Sequence, residues 1–289
     1  MRTALLSLAV FALAANCGKG GPPVQAQSTS ASSTTAYLGF DRNEYPGDGN
    51  LAALRRTFSY TGYWLNKPPR AGTNTWLGNR KAVEAAGFGF LILFNGRLDT
   101  DLKKAPDPST LGKSDAVEAA ATARQDGFPV GAVIFLDQEE GGRMLPEQRA
   151  YIHAWVDGVN ASGFHAGIYC PGIAAPAGNG VAVATAEDIQ QNAGERKMVF
   201  WVANDACPPS PGCAFPKQAP PPTLSGVPFA DVWQFAQSPK RRDVAASCPP
   251  NYDPDGSCYP PGVARETHLF VDLNAASSND PSGGRSGAR

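Results

Sequence analysis

Short apolar runs recur along this 289-residue chain, and most of them carry an acid, an amide or a tyrosine at or near their C-terminal end. In order they are residues 37–41, 60–65, 88–95, 132–137, 165–170, 198–205, 231–236 and 268–274. Their richness in β-branched and aromatic residues suits strands buried on both faces. At or near their C-terminal ends stand Asp41, Asn95, Asp137, Tyr169, Asn204 with Asp205, Gln234 and Asp272. Helical segments are expected between the early runs: Leu51 to Phe58, Trp76 to Ala86, Ser114 to Asp126, Leu145 to Ser162, and one opened by Thr185. Gly87, Gly127 and Gly163 stand where three of them should stop. After that the helices cease. This alternation predicts an α/β fold, a TIM-type β/α barrel of eight strands with helices mainly after the first five. Such a barrel collects chemistry at the C-terminal ends of its strands, where these polar residues lie. An open doubly wound sheet is the rival; it would want a Gly-rich phosphate turn after the first strand, and Gly39 to Glu44 is not one.

The fourth run, Ala132 to Gly142, ends in Asp137-Gln138-Glu139-Glu140. Side chains two apart on a strand share a face, so Asp137 and Glu139 should point the same way, with Cα atoms roughly 6.5 Å apart. Two carboxyls held together repel, and their pKa values separate. One acid and one ionised partner result. Glu139, further along, is expected to hold its proton while Asp137 stays ionised, and Glu140 should face away. The plainer reading is charge returning to solvent at the start of a loop.

Other chemistries find little support. Net charge is −1 with 18% charged residues, so no basic footprint for nucleic acid or membrane is present. Only three His occur, with no H-x-H or H-E-x-x-H, and no metal or other cofactor is expected. A hard cation held by Asp41, Asp137, Glu139 and Asp272 is the one metal alternative. Gly112-Lys113-Ser114 resembles the end of a P-loop, but Asp107 occupies the place of its first Gly. No G-x-S-x-G elbow appears.

Residues 1–16 read as a secretory signal, with Arg2 before an apolar stretch too short to span a membrane once mature. Residues 17–36 read as a flexible tether, residues 37–275 as the barrel, and residues 276–289 as a disordered tail. A secreted or periplasmic monomer is expected. Cys17 follows Leu13-Ala14-Ala15-Asn16 and is a candidate lipid anchor, although Asn16 replaces the usual small residue. Export permits disulfides. The economical pairing is Cys207 with Cys213 and Cys248 with Cys258, leaving Cys170 reduced.

Glycoside hydrolysis fits what remains: two carboxyls flank the scissile bond, and aromatics stack on sugar faces. Tyr63, Trp64, Tyr169, Trp201 and Trp233 lie in or at strand ends, with barrel packing as the plainer account of each. The sequence resembles the family 25 glycoside hydrolases, lysozymes that cleave peptidoglycan as N-acetylmuramidases. The resemblance rests on Gly39-Phe40-Asp41, Asp137-Gln138-Glu139, Gly167-Ile168-Tyr169, Trp201-Val202-Ala203, Trp233-Gln234 and Val271-Asp272-Leu273-Asn274. Tyr60 to Trp64 and Gly112 to Gly127 are closer to a sister family, a secreted glycoside-hydrolase-like domain of unknown function. The resemblance implies a glycoside hydrolase superfamily-like barrel acting on a polysaccharide or peptidoglycan partner. It implies Glu139 as the acid, Asp137 as its partner, and Asp41 and Asp272 as supporting carboxylates. Tyr169, Trp201, Gln234 and Asn95 join Asp272 as candidate substrate-binding residues. Residues 67–72 and the two Cys loops match no lysozyme pattern, and Glu140 to Arg143 extends the acidic loop unusually. Two functions stay open: an exported glycosidase, or a non-catalytic barrel that binds envelope glycan.

Overall fold

The computed structural model describes residues 35–207, 209–239 and 256–287. Eight strands close a barrel: β1 (Tyr37–Asp41), β2 (Tyr60–Trp64), β3 (Gly89–Asn95), β4 (Val133–Asp137), β5 (His165–Pro171), β8 (Val199–Ala203), β9 (Val232–Ala236) and β10 (Asp272–Ala276). A hairpin of β6 (Ala175–Pro176) and β7 (Ala182–Val183) stands outside it. Around the barrel order the strands run β1-β10-β9-β8-β5-β4-β3-β2. Helices α1 (Asp48–Arg55), α2 (Arg80–Ala85), α3 (Asp99–Leu102), α4 (Pro108–Gln125), α5 (Pro146–Ala161) and α6 (Thr185–Asn192) all follow the first five barrel strands, as the pattern predicts.

The last strand departs from the parallel arrangement of a TIM-type barrel. β10 runs antiparallel to both β1 and β9. It also begins at Asp272 rather than near His268, which sits at φ 51° after a short 3₁₀ turn at Arg265–Thr267. Reversal places the start of β10, not its end, at the mouth, and Asp272 stands opposite Asp41 in register.

The strands are apolar on both faces because one face packs inside the barrel and the other against helices. Phe135 and Trp201 meet edge to face inside, with centroids 5.7 Å apart. Gly167 on β5 leaves room for that Phe135 ring, since a Cβ there would lie 2.5 Å from it. The P-loop-like Gly112 lies inside α4, which Asp107 rather than Ser114 caps. A Cβ on Gly112 would sit 2.3 Å from the Tyr151 carbonyl of α5, so glycine permits the close α4–α5 crossing.

Residues 277–287 are ordered, which corrects the disordered-tail expectation. Ser282 is 1% exposed and crosses the starts of β3 and β4. Its carbonyl accepts from Val133 N (2.8 Å), its Oγ from Ile92 N (2.9 Å), and Asp280 Oδ1 accepts from Phe90 N (2.8 Å). Arg80 Nη2 donates to the Gly284 carbonyl at 2.7 Å, with its guanidinium over the Phe128 ring.

The disulfide joins Cys213 to Cys258, 45 residues apart, which corrects both expected pairings; Cys170 is buried and reduced as expected. Peptide mapping without reduction should recover Cys213 linked to Cys258, and a Cys207–Cys213 peptide would contradict this topology. The expectations for residues 1–16, Cys17, most of the tether and Cys248 fall outside the described residues. Among the described residues no helix is long and apolar enough to cross a membrane.

Candidate active site

The C-terminal ends of the parallel strands and the start of β10 enclose a cavity of about 750 Å³. Asp41, Asp137, Glu139, Tyr169, Trp201, Gln234 and Asp272 line it, seven of the eight residues expected at a site. Asn95 does not. It ends β3, but its Nδ2 donates to the Lys67 carbonyl and its own backbone is clasped by Asn66. Of the aromatics, Trp64 also lines the cavity. Tyr63 instead donates to Asp126 on the barrel's outer side, and Trp233 Nε1 to the Asn204 carbonyl.

Asp41 is the centre of a directed hydrogen-bond network. Its Oδ1 accepts from Gln234 Nε2 (2.9 Å) on β9 and Asn274 Nδ2 (2.7 Å) on β10. Trp201 Nε1 donates to Asn274 Oδ1 at 2.9 Å. The Tyr169 hydroxyl donates to Gln234 Oε1 at 2.7 Å, and Gln237 Nε2 donates to that same oxygen at 2.7 Å. Each amide thus has its oxygen and nitrogen assigned by its partners. Burial raises the Asp41 pKa to about 6, more than these two donors lower it.

Asp272 accepts from Ser238 N at 2.6 Å. Burial, then the nearby Asp41 charge, pushes its pKa well above the usual carboxylate range. Asp137 is 6% exposed, and its buried Oδ1 has no partner. Its pKa is also pushed well up, first by burial and then by Glu139 and Asp41, with Arg70 opposing. These influences run against the expectation that Asp137 stays ionised. It lies one step inside the rim, where desolvation falls on it.

Alternation along the chain holds beyond β4. Gln138 is buried and its N–H donates to the Tyr169 carbonyl at 2.9 Å, while Asp137 and Glu139 both face the cavity. Glu139 has its side chain 41% exposed, 4.0 Å from the Arg70 guanidinium. Glu140 turns away, accepting from Asp99 N (2.8 Å) and Gln148 Nε2 (2.7 Å).

Arg70, Gln237 and His268 also line the cavity, and residue-by-residue reading missed them. All three sit on loops whose path depends on the whole barrel; the unmatched stretch 67–72 and the unmatched Cys loops were the available signals. Among the described residues, no group of three or more His, Cys, Asp or Glu is placed to hold a metal ion, so the cation alternative gains no support.

A family described as the Rv2525c-like, glycoside hydrolase-like domain matches residues 59–207. Among curated proteins none matches. Among solved structures, an uncharacterized B. stearothermophilus protein is similar at 20% identity and a TM-score of 0.51, over 83% of this chain and 95% of that one. The Mycobacterium tuberculosis Tat-secreted protein Rv2525c is similar at 14% identity and 0.48, over 84% and 95%. The Clostridium perfringens spore cortex lytic enzyme SleM is similar at 17% identity and 0.47, over 85% and 68%. The first of these likenesses shows the fold alone.

Proposed function

We propose, from the premise that this chain belongs to the Rv2525c-like glycoside hydrolase-like family, that it is an exported glycosidase cleaving cell-wall glycan, peptidoglycan above all, as a muramidase. One observation carries the reading: four acidic side chains from three separated stretches, Asp41, Asp137 with Glu139, and Asp272, meet in one cavity beside Trp201 and Tyr169. Export is supported by the apolar N-terminal run and by the Cys213–Cys258 bridge, which persists in oxidising compartments.

Geometry precedes pKa in choosing the acid. Glu139 reaches the open side of the cavity, where a leaving oxygen can be met, so it donates that proton. Asp137, buried beside it with its pKa pushed up by burial and by the Glu139 charge, faces the same cavity as its partner carboxyl. Asp41 and Asp272 provide negative charge once ionised, and the Gln234 and Asn274 amides hold Asp41 in place. Trp201 and Trp64 form part of the cavity wall, and Trp201 holds Asn274 through its Nε1.

Zymography on purified peptidoglycan tests this, with the full chain run beside Glu139→Gln. Clearing by the wild type and none by the variant is expected. Wild type that pulls down with peptidoglycan yet never clears it would replace the glycosidase with the glycan-binding barrel.

A further inference from the structure

Trp201 of β8 belongs to the cavity wall, yet it is fully buried. Phe135 meets its ring edge to face with centroids 5.7 Å apart, and Tyr169 does so at 4.8 Å. Stacking on a sugar needs an open ring face, and this ring has none. Its one polar atom is engaged inside the barrel. Nε1 donates to Asn274 Oδ1 at 2.9 Å, and Asn274 Nδ2 donates to Asp41 Oδ1 at 2.7 Å. The path runs from β8 past β9 to β10 and on to β1. Asn274 is fully buried and stands in register with Gln234, the second donor to the same Asp41 oxygen.

The two donors are fixed differently. Gln234 Oε1 accepts from the Tyr169 hydroxyl and from Gln237 Nε2, both at 2.7 Å. A hydroxyl donates or accepts, and an amide end can turn over, so this arm keeps its hydrogen bonds with every group reversed. An indole N–H only donates. Turning Asn274 over would set its Nδ2 against Trp201 Nε1, donor against donor, and leave the indole N–H buried and unpaired. Asn274 is thereby held with its N–H toward Asp41. A carboxylate accepts that N–H. A protonated carboxyl would be better served by the amide oxygen, which Trp201 keeps turned away.

We propose that Trp201 is a positioning residue: acting only through the Asn274 amide, its indole N–H holds Asp41 as an acceptor and favours its ionised form. This rests on the glycosidase reading for what Asp41 does in turnover; the hydrogen-bond path stands without it. The titratable and charged groups around Asp41 are Tyr60 on β2, Asp137 on β4 with Glu139 beyond it, Tyr169 on β5, Asp272 on β10, and Arg42 next in the chain, which pairs with Glu44 at 3.6 Å. None of them lies on the path from Trp201 through Asn274 to Asp41.

Carbon-13 NMR of the aspartate carboxyls in the full chain, followed from about pH 4 to about pH 8, reads the Asp41 midpoint directly. The resonance is assigned by its loss in Asp41→Asn. Trp201→Phe keeps an aromatic ring and removes the donor, so the midpoint should rise by about one unit, tenfold in proton affinity. Asn274→Leu should raise it at least as far, because the N–H itself is gone. Adding Trp201→Phe to Asn274→Leu should change nothing further. An unmoved midpoint in Trp201→Phe overturns the proposal. So does an equal shift with and without Asn274, which would leave Trp201 a packing residue alone. Should either variant fail to fold, the wild-type indole decides: the Trp201 Nε1 proton resonance should shift at the Asp41 midpoint, and a resonance unmoved there overturns the proposal. Wild type that clears no peptidoglycan but gives the expected midpoints removes the glycosidase reading and supports the positioning of Asp41.

Discussion

Glu139→Gln should cut cleavage of an unactivated glycan by about 10² to 10⁴-fold, the range for losing a general acid. Glutamine keeps the shape and removes the proton. On an aryl glycoside with a good leaving group the loss should be much smaller, because departure then needs little protonation. Asp137→Asn should also lower turnover, without that recovery on the activated substrate. If Asp137→Asn recovers and Glu139→Gln does not, the two residues exchange roles.

The same pair separates activity from stability. A carboxyl whose folded pKa is raised binds a proton in the folded state that the unfolded chain has released. Its contribution to stability is full below its unfolded pKa and is lost as pH rises through the folded one. For Asp41 the loss runs from about pH 4 to about pH 6, and corresponds to roughly 3 kcal/mol at most. Asp137 is displaced in the same direction, and no hydrogen bond to its Oδ1 offsets the burial. Asp137→Asn should therefore be more stable than wild type at pH 7. That advantage should shrink as pH falls toward 4. Chemical denaturation at the two pH values checks this; an equal advantage at both would mean that folding does not raise the Asp137 pKa.

Ending the chain after Ala276 should destabilise the barrel by about 3 kcal/mol or more, roughly 6–12 °C in Tm. The lost segment satisfies the Phe90, Ile92 and Val133 N–H groups at the starts of β3 and β4. It also accepts from Arg80, a buried guanidinium whose Nε already lacks a partner. Truncation strips that cation of its carbonyl while leaving it against Phe128 and Phe90. A truncated chain with wild-type Tm would show that water replaces every one of these bonds without cost.

Local pattern made the strands and helices legible. A run such as Val133 to Leu136 is apolar throughout because both of its faces are covered, and the helices after the first five strands have glycine stops and apolar stripes that survive in the structure. The site was legible for a related reason. A polar residue at the end of a buried strand can only face a rim, and Asp41, Asp137, Tyr169 and Gln234 do so. Glu139 and Glu140 separated correctly because two-residue alternation continues one step past β4.

What failed depended on contacts between distant segments. Strand pattern is the same read in either direction, so nothing local to residues 268–276 says that β10 runs antiparallel; Asp272 reaches the mouth because the strand begins there. Sequence proximity suggested Cys207 with Cys213, whereas the bond forms where the fold brings Cys213 and Cys258 together. The polar tail lacks the apolar residues that announce order, yet it is ordered by strand ends that need hydrogen-bond partners. Both acids of the Asp137–Glu139 pair were visible in the chain. Which of them is desolvated was decided by where the barrel rim falls between two residues on one strand face.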